Sequence, residues 1–440
     1  MARALALAGD ARALAASGGG LHMARAAGGT TGGGGVRRGL SRIRRANEAL
    51  HSLPRMRSRD AIASESAGGR HMRRGLRVLL TLTVTTFLVA QRPSGPHVGF
   101  SAFGQLASAR LTEIERAIRA EMQRQKIPGL SIALVTEHRL RWAKGFGYAD
   151  LENSVPATEQ TVYRLASISK TITAVAVMQL AERGKLDLDA PIQRYCPAFP
   201  EKPWPITARQ LLAHVSGIRH YKRPEEITST RHYTRIVDTL EIFKDDPLEH
   251  EPGARFTYTT YGYNVLGCAI EGASGMSYLD YVREHIFRPA GMDRARDDNV
   301  FAIIPHRAQG YRRTPSGELQ NSPLADTSNK IPGGGLCSTV LDLARFAIAL
   351  QQGKLLRRET LEPMWTPQKT RDGRETSYGL GWSLSEYRGR REVFHTGGQP
   401  RVSTLLYMRP EDRLAVVLMS NLEGARLLDL ARRIADLAQP

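Results

Sequence analysis

Tyr163-Arg164-Leu165-Ala166-Ser167-Ile168-Ser169-Lys170-Thr171 opens an apolar stretch and sets a hydroxyl three residues before an amine. Positions i and i+3 of a helix share a face, so Ser167 and Lys170 can meet. A lysine held there and partly desolvated can lose its proton and then accept one from the hydroxyl. That pairing is an activated nucleophile. Taken alone, Ser-x-x-Lys also fits an N-cap serine followed by a surface lysine. Its meaning depends on the rest of the chain.

Residues 168–183 are apolar nearly all round, which predicts a buried helix, with Gly184 as its C-terminal stop. Upstream, Leu111, Ile114, Ala117 and Ile118 recur at helical spacing within a helix predicted over 112–126. Pro128-Gly129 ends it. The run from Leu130 to Val135 reads as a strand and Arg139 to Tyr148 as its hairpin partner. A short helix is predicted over 206–216. Far downstream, Val402 to Met408 and Leu414 to Met419 are apolar runs split by Arg409-Pro410-Glu411-Asp412-Arg413, a hairpin signal, and a terminal helix follows from about Leu427. The fold class is therefore α/β in the α+β sense. An antiparallel sheet from the N- and C-terminal segments is flanked by helices, and a mainly helical subdomain carries Ser167.

Composition divides the 440 residues unevenly. Residues 1–78 hold fifteen arginines, no lysine and four acidic residues, so +11 of the formal +19 charge lies there. A nucleic-acid surface needs clustered basic and aromatic residues, and the globular part has no such cluster, so no nucleic-acid partner is expected. Residues 1–71 are rich in Ala, Gly and Arg, hold little to build a core from, and read as a disordered extension. Met72-Arg73-Arg74-Gly75-Leu76-Arg77 followed by the apolar run 78–90 has the pattern of a signal peptide or membrane anchor over 72–92. The apolar run is short for a full span. Met72 then reads as the start of the translated chain. The placement implied is exported, periplasmic or membrane-anchored, with an organellar transit segment as the alternative. Globular composition runs over 110–438. Cys196, Cys268 and Cys337 leave at least one thiol unpaired, and none has metal-ligand spacing. Neither a metal nor an organic cofactor is implied.

Two further segments belong with Ser167 and Lys170. One is Phe256-Thr257-Tyr258-Thr259-Thr260-Tyr261-Gly262-Tyr263-Asn264-Val265-Leu266-Gly267, the other Phe394-His395-Thr396-Gly397-Gly398. Together the three resemble the motifs of the serine β-lactamase and penicillin-binding-protein superfamily, in the branch of class C β-lactamases, D,D-peptidases and related esterases. Supporting stretches are Ile206 to Ile218, Gly333 to Thr339 and Tyr378-Gly379-Leu380-Gly381-Trp382. The resemblance spans roughly residues 112–437. Lys185 to Asp189, Ser216 to Tyr221 and Phe243 to Leu248 are similar to the mitochondrial serine β-lactamase-like branch, which is linked to peptidase activity and, in animals, to filaments. The insertion after Tyr221 is short here.

The resemblance implies roles. Ser167 attacks a carbonyl and becomes acylated, and Lys170 accepts its proton or lowers its cost. Tyr258 relays protons to the leaving group. The backbone N–H groups of Ser167 and Gly398 form an oxyanion hole, where one donor is worth about 10²–10³ in rate. Thr260, His395, Thr396 and Gly397 line the substrate. Two positions depart from the family pattern. Thr260 stands where many members have Asn, and His395 where others have a carboxylate-holding Lys. An unperturbed histidine titrates at about 6.5 against about 10.4 for lysine, so His395 is expected to carry charge only part of the time at neutral pH. Weak penicillinase activity follows, with a preference for esters or peptides.

Each of these residues has a plainer reading as well. His395 could pack a strand, Tyr258 could be a half-buried core tyrosine, and His214 and His220 could be structural or surface residues. Trp142 and Trp382 read as core aromatics. The function expected is a serine hydrolase using an acyl-enzyme on Ser167, a peptidase or esterase acting on a small peptide, ester or β-lactam-like substrate. The alternatives are a β-lactamase or D,D-carboxypeptidase of cell-wall peptides, and a catalytically quiet peptidoglycan-binding or scaffold protein. Specificity is expected in loops 219–250 and 300–330.

Overall fold

The computed structural model describes residues 108–439, so the extension assigned to 1–71 and the leader assigned to 72–92 lie outside the described residues. Helix α1 (Ser108–Gln125) leads into strand β1 (Gly129–Thr136), which turns into β2 (Arg139–Asp150) and the short β3 (Val155–Pro156). The β1–β2 turn places Glu137 and His138 at φ +51° and +54°, the left-handed pair that a two-residue hairpin needs to match strand twist. The chain returns to the same sheet near its end, as β4 (Ser383–Tyr387), β5 (Arg390–Gln399), β6 (Val402–Arg409) and β7 (Leu414–Ser420). The strand order is β3-β2-β1-β7-β6-β5-β4. β1 and β7 pair antiparallel from Leu130 opposite Ser420 to Val135 opposite Ala415, so the two ends of the domain close one sheet.

Both faces of that sheet are covered. Leu130, Ile132 and Leu134 of β1 and Leu414, Val416 and Leu418 of β7 pack with Ile114, Ala117 and Ile118 of α1 and with the terminal helix Leu428–Ala438. Their alternates Ala133, Val135, Ala415, Val417 and Met419 point into the larger core under the inserted helices. A strand buried on both sides reads as an unbroken apolar run, which is why these segments show no polar alternation. Each such Leu or Val removed from water contributes about 1.5–3 kcal/mol.

The insert supplies helices α2 (Ser169–Glu182), α3 (Ala208–Leu212), α4 (Tyr261–Ser274) and α5 (Val340–Gln351). Every residue of α2 from Ser169 to Leu180 is buried, which accounts for its lack of a polar face. Gly184 follows it at φ +65°. Helix α3 is shorter than the 206–216 expected. It starts at a Thr207/Gln210 capping box, and the chain leaves it where His214 takes φ +59°. Cys196 and Cys268 form a disulfide that, within the insert, ties the segment after α2 to α4, and Cys337 is free and buried. Trp382 is fully buried, whereas Trp142 is only half-buried on β2. Among the described residues no helix is long and apolar enough to cross a membrane.

Candidate active site

From Thr161 through Leu180 one residue alone, Ser167, is not buried. The chain enters this opening from a short strand, Tyr163–Arg164, and passes through one 3₁₀ turn, Ala166–Ile168, into α2. Ala166 takes φ +49°, a conformation that costs a non-glycine residue about 1–3 kcal/mol and has to be held by its surroundings. The holding groups are visible. The Leu165 N–H donates to Leu336 O at 2.8 Å, and Thr404 Oγ1 donates to Leu165 O at 2.9 Å. Strand β5 closes on the same turn. A Cβ on Gly397 would lie 2.1 Å from Thr404 Oγ1 and 2.4 Å from Leu165 O, so only glycine permits the approach. Next to it, Gly398 faces open space.

Lys170 is fully buried one turn on. Its Nζ lies 2.6 Å from Gly333 O, 3.1 Å from Thr260 Oγ1 and 3.2 Å from Ser167 Oγ. Burial, reinforced by the charge of Lys330, holds its pKa well below the usual lysine range. A neutral amine has two N–H donors and one lone pair. Gly333 O and Thr260 Oγ1 can take the donors, which leaves the lone pair for the Ser167 hydroxyl proton. The Tyr258 hydroxyl also hydrogen-bonds Ser167, and its packed surroundings raise its pKa above the ordinary tyrosine value, so it keeps its proton. The Tyr258 ring centre is 4.9 Å from Lys170 Nζ, and part of the ring is open to the cleft.

Two histidines clamp the backbone behind Tyr258. The Thr259 N–H donates to His214 Nδ1 at 3.2 Å, and the Thr260 N–H donates to His220 Nδ1 at 3.1 Å. Both rings are therefore neutral with the proton on Nε2. Burial, then Lys170, holds His214 well below its normal pKa and brings His220 to about 3. His214 is fully buried and its ring packs at a tilt 4.2 Å from that of Tyr258, so the structural reading of His214 fits and the surface reading does not.

Lys330 escaped the sequence reading altogether. It is 1% exposed, donates to Ile227 O at 3.2 Å and lies 5.4 Å over the Tyr221 ring, which in turn hydrogen-bonds Thr260. Burial, then Arg164, pulls its pKa to about 7. Its place beside Pro332-Gly333-Gly334 was the one available signal.

Two expectations change. His395 was expected to be partly charged at neutral pH, but its Nδ1–H donates to Thr396 O at 2.7 Å and the Tyr378 hydroxyl donates to its Nε2 at 2.8 Å. At 2% exposure, burial and then Lys170 bring its pKa to about 3, so it is neutral and both ring nitrogens are spent inside the protein. Thr260 was expected to touch substrate, yet it is 3% exposed with its hydroxyl turned to Lys170. Thr396 and Gly398 are the exposed members of the β5 motif, and Gly397 is buried.

A β-lactamase family model matches residues 114–439. The chain belongs to the β-lactamase family. It is a serine hydrolase of the kind that works through an acyl-enzyme. Human serine beta-lactamase-like protein LACTB, mitochondrial, is 31% identical over 379 residues, covering 65% of this chain and 69% of the relative. Penicillin-binding protein 4* of Bacillus subtilis is 33% identical over 294 residues, covering 63% of this chain and 64% of that protein. Among solved structures, the octameric penicillin-binding protein homologue from Pyrococcus abyssi superposes with a TM-score of 0.64 at 29% identity, over 74% of this chain and 76% of that one. The relatives thus include mitochondrial and bacterial β-lactamase-family proteins. In this chain the amines of the site, Lys170 and Lys330, lie on the nucleophile side, and His395 on β5 is neutral.

Proposed function

We propose that the protein is a peptidase or esterase in which Ser167 is the nucleophile and Lys170 its base. The Ser167 Oγ–H proton passes to the Lys170 lone pair as Oγ bonds to the substrate carbonyl carbon. The oxyanion so formed is held by the N–H groups of Ser167 and Gly398. Tyr258 gives its hydroxyl proton to the leaving group and recovers one from Lys170. Water then enters by the reverse route, and the acyl–Oγ bond breaks. The observation that carries this reading is the buried Lys170 amine, its pKa pulled well down by burial, 3.2 Å from Ser167, the one residue of the turn that is not buried.

A neutral His395 supports substrates whose binding needs no carboxylate at that position, and Thr260 acts on Lys170 rather than on the substrate. The Cys196–Cys268 disulfide supports work in an oxidising compartment, in keeping with export, periplasmic or membrane-anchored placement by the 72–92 segment.

Intact mass after incubation with a fluorophosphonate, and separately with a fluorescent penicillin, tests the reading against a Ser167→Ala control. The expected result is a Ser167-dependent fluorophosphonate adduct with slow penicillin labelling. Rapid penicillin labelling and turnover would favour the β-lactamase or D,D-carboxypeptidase reading. No adduct on folded protein would leave the quiet scaffold reading.

A further inference from the structure

Val300, Phe301 and Ile303, on the loop after Asp298, and Leu324, on the next loop, all turn large apolar side chains to solvent. Ile303 is 94% exposed, Phe301 78% and Leu324 74%. Single apolar residues on a surface need no explanation, whereas a group of them marks a surface that something covers.

The loop is fastened in the shape that displays them. Arg307 donates to Asn299 O at 2.9 Å, Ala302 O at 3.2 Å and Asp298 Oδ1 at 3.3 Å, and the Phe301 N–H donates to Asn299 Oδ1 at 2.9 Å. Ala302 and Ile304 turn inward onto Val162 and Cys337. Their neighbours Phe301 and Ile303 are thereby turned outward. The Phe301 ring stands edge-on to His232 at 4.9 Å, and His232 Nδ1 lies 2.7 Å from Asp326 Oδ2, two residues past Leu324.

This apolar surface is bolted to the backbone that forms the cleft. The Asp298 N–H donates to Gly335 O at 2.8 Å, two residues past the carbonyl that holds Lys170, and the Val162 N–H donates to His306 O at 2.9 Å, five residues before Ser167. Arg164, three residues before Ser167, donates to Asp298 Oδ2 at 2.6 Å, Ala325 O at 2.8 Å and Pro400 O at 3.2 Å. It thus ties both loops to the end of β5, two residues past Gly398.

That continuity points to substrate as the occupant. His395 is neutral with both ring nitrogens used inside the protein, so it supplies no charge to hold a substrate. Apolar contact gives grip without charge, in proportion to the length of chain laid against it. We propose that Val300, Phe301, Ile303 and Leu324 form a shelf for a linear apolar arm of the substrate leading out of the cleft. The enzyme then prefers long-chain esters or amides over short ones. This deepens the acyl-enzyme reading above and rests on it.

The test is kcat/KM of the full chain on nitrophenyl esters from acetate to octanoate, kept below micelle formation. A companion series carries the chain on the alcohol instead. In one series kcat/KM should rise about twofold per methylene, less than for a fully enclosed chain because the shelf covers one side only. Phe301→Ser with Leu324→Ser should cut the long-to-short ratio of that series about fivefold or more, and Ile303→Ser should lower it by a smaller factor. A flat profile in both series, on protein whose Ser167 still takes a fluorophosphonate, overturns the shelf and leaves the acyl-enzyme standing. Protein without that adduct loses both. A rise that persists in all these variants also overturns the shelf. So does self-association of the chain, read by sedimentation, that the substitutions abolish while the rise is unchanged, since the surface then belongs to a second copy.

Discussion

The two walls of the cleft handle charge in opposite ways. On the nucleophile wall, Lys170 and Lys330 are buried amines whose pKa values are pulled down, Lys170 well below the usual lysine range and Lys330 to about 7. Behind Tyr258 and on β5, His214, His220 and His395 are locked as neutral rings by specific hydrogen bonds, two of them with pKa values of about 3. Histidine is the residue whose ordinary pKa suits a neutral-pH switch, yet here it is scaffolding and lysine holds the titrating role. The cause is shared desolvation. Burial disfavours any cation, and it brings lysine from far above neutrality toward it while carrying histidine far below it.

The sharpest way to break this contrast is to remove the nucleophile. Ser167→Ala should lower hydrolysis by about 10⁴–10⁶-fold with an unchanged melting temperature, measured on a neutral nitrophenyl ester. A residual rate near wild type would place the chemistry elsewhere.

The next largest effect concerns how the second wall is anchored. Cys268 lies on α4, the helix that begins directly after Thr260, and its bridge to Cys196 closes a loop with a separation of 72 residues. Cys196→Ser with Cys268→Ser should cost about 4 kcal/mol of unfolding free energy by chain entropy, read from denaturant midpoints. An unchanged midpoint would mean that packing alone holds the wall.

Tyr258→Phe removes the proton relay and keeps the ring over Lys170. A fall of about 10²–10³ in kcat is expected, with KM little altered. A change confined to KM would make Tyr258 a binding residue only.

The smallest effect discriminates most finely between the walls. Lys170 must be neutral to act, so acylation falls as pH drops through its lowered pKa. Lys330→Met removes a neighbouring positive charge and lets the Lys170 pKa rise. The acid limb of kcat/KM should then move up by about one pH unit, most visibly below pH 7, where Lys330 is charged. His395→Gln should leave that limb in place, because His395 is already neutral. Loss of a limb near pH 6.5 in His395→Gln would reverse the assignment of the two walls.

Much of this was legible in the primary structure. The i, i+3 placement of Ser167 and Lys170 needs only helical geometry, and the buried α2 follows from its all-round apolar surface. The apolar runs of β1, β6 and β7 announced strands, although their double-sided burial depends on α1 and the terminal helix closing over one face. The errors have a common source. His395 and Thr260 were read as substrate-facing from their positions in the motifs. Their actual partners, Tyr378 and Lys170, come from segments 17 and 90 residues away.

Local sequence by itself therefore determined the chemistry available, namely a serine, a lysine and a tyrosine in motif order, and the strands and helices that carry them. Those properties depend on near neighbours along the chain. Only the tertiary structure decided which groups carry charge. Desolvation and the distances to Lys330, Arg164 and Asp298 are set by residues far apart in sequence, and a side chain's pKa answers to everything packed around it.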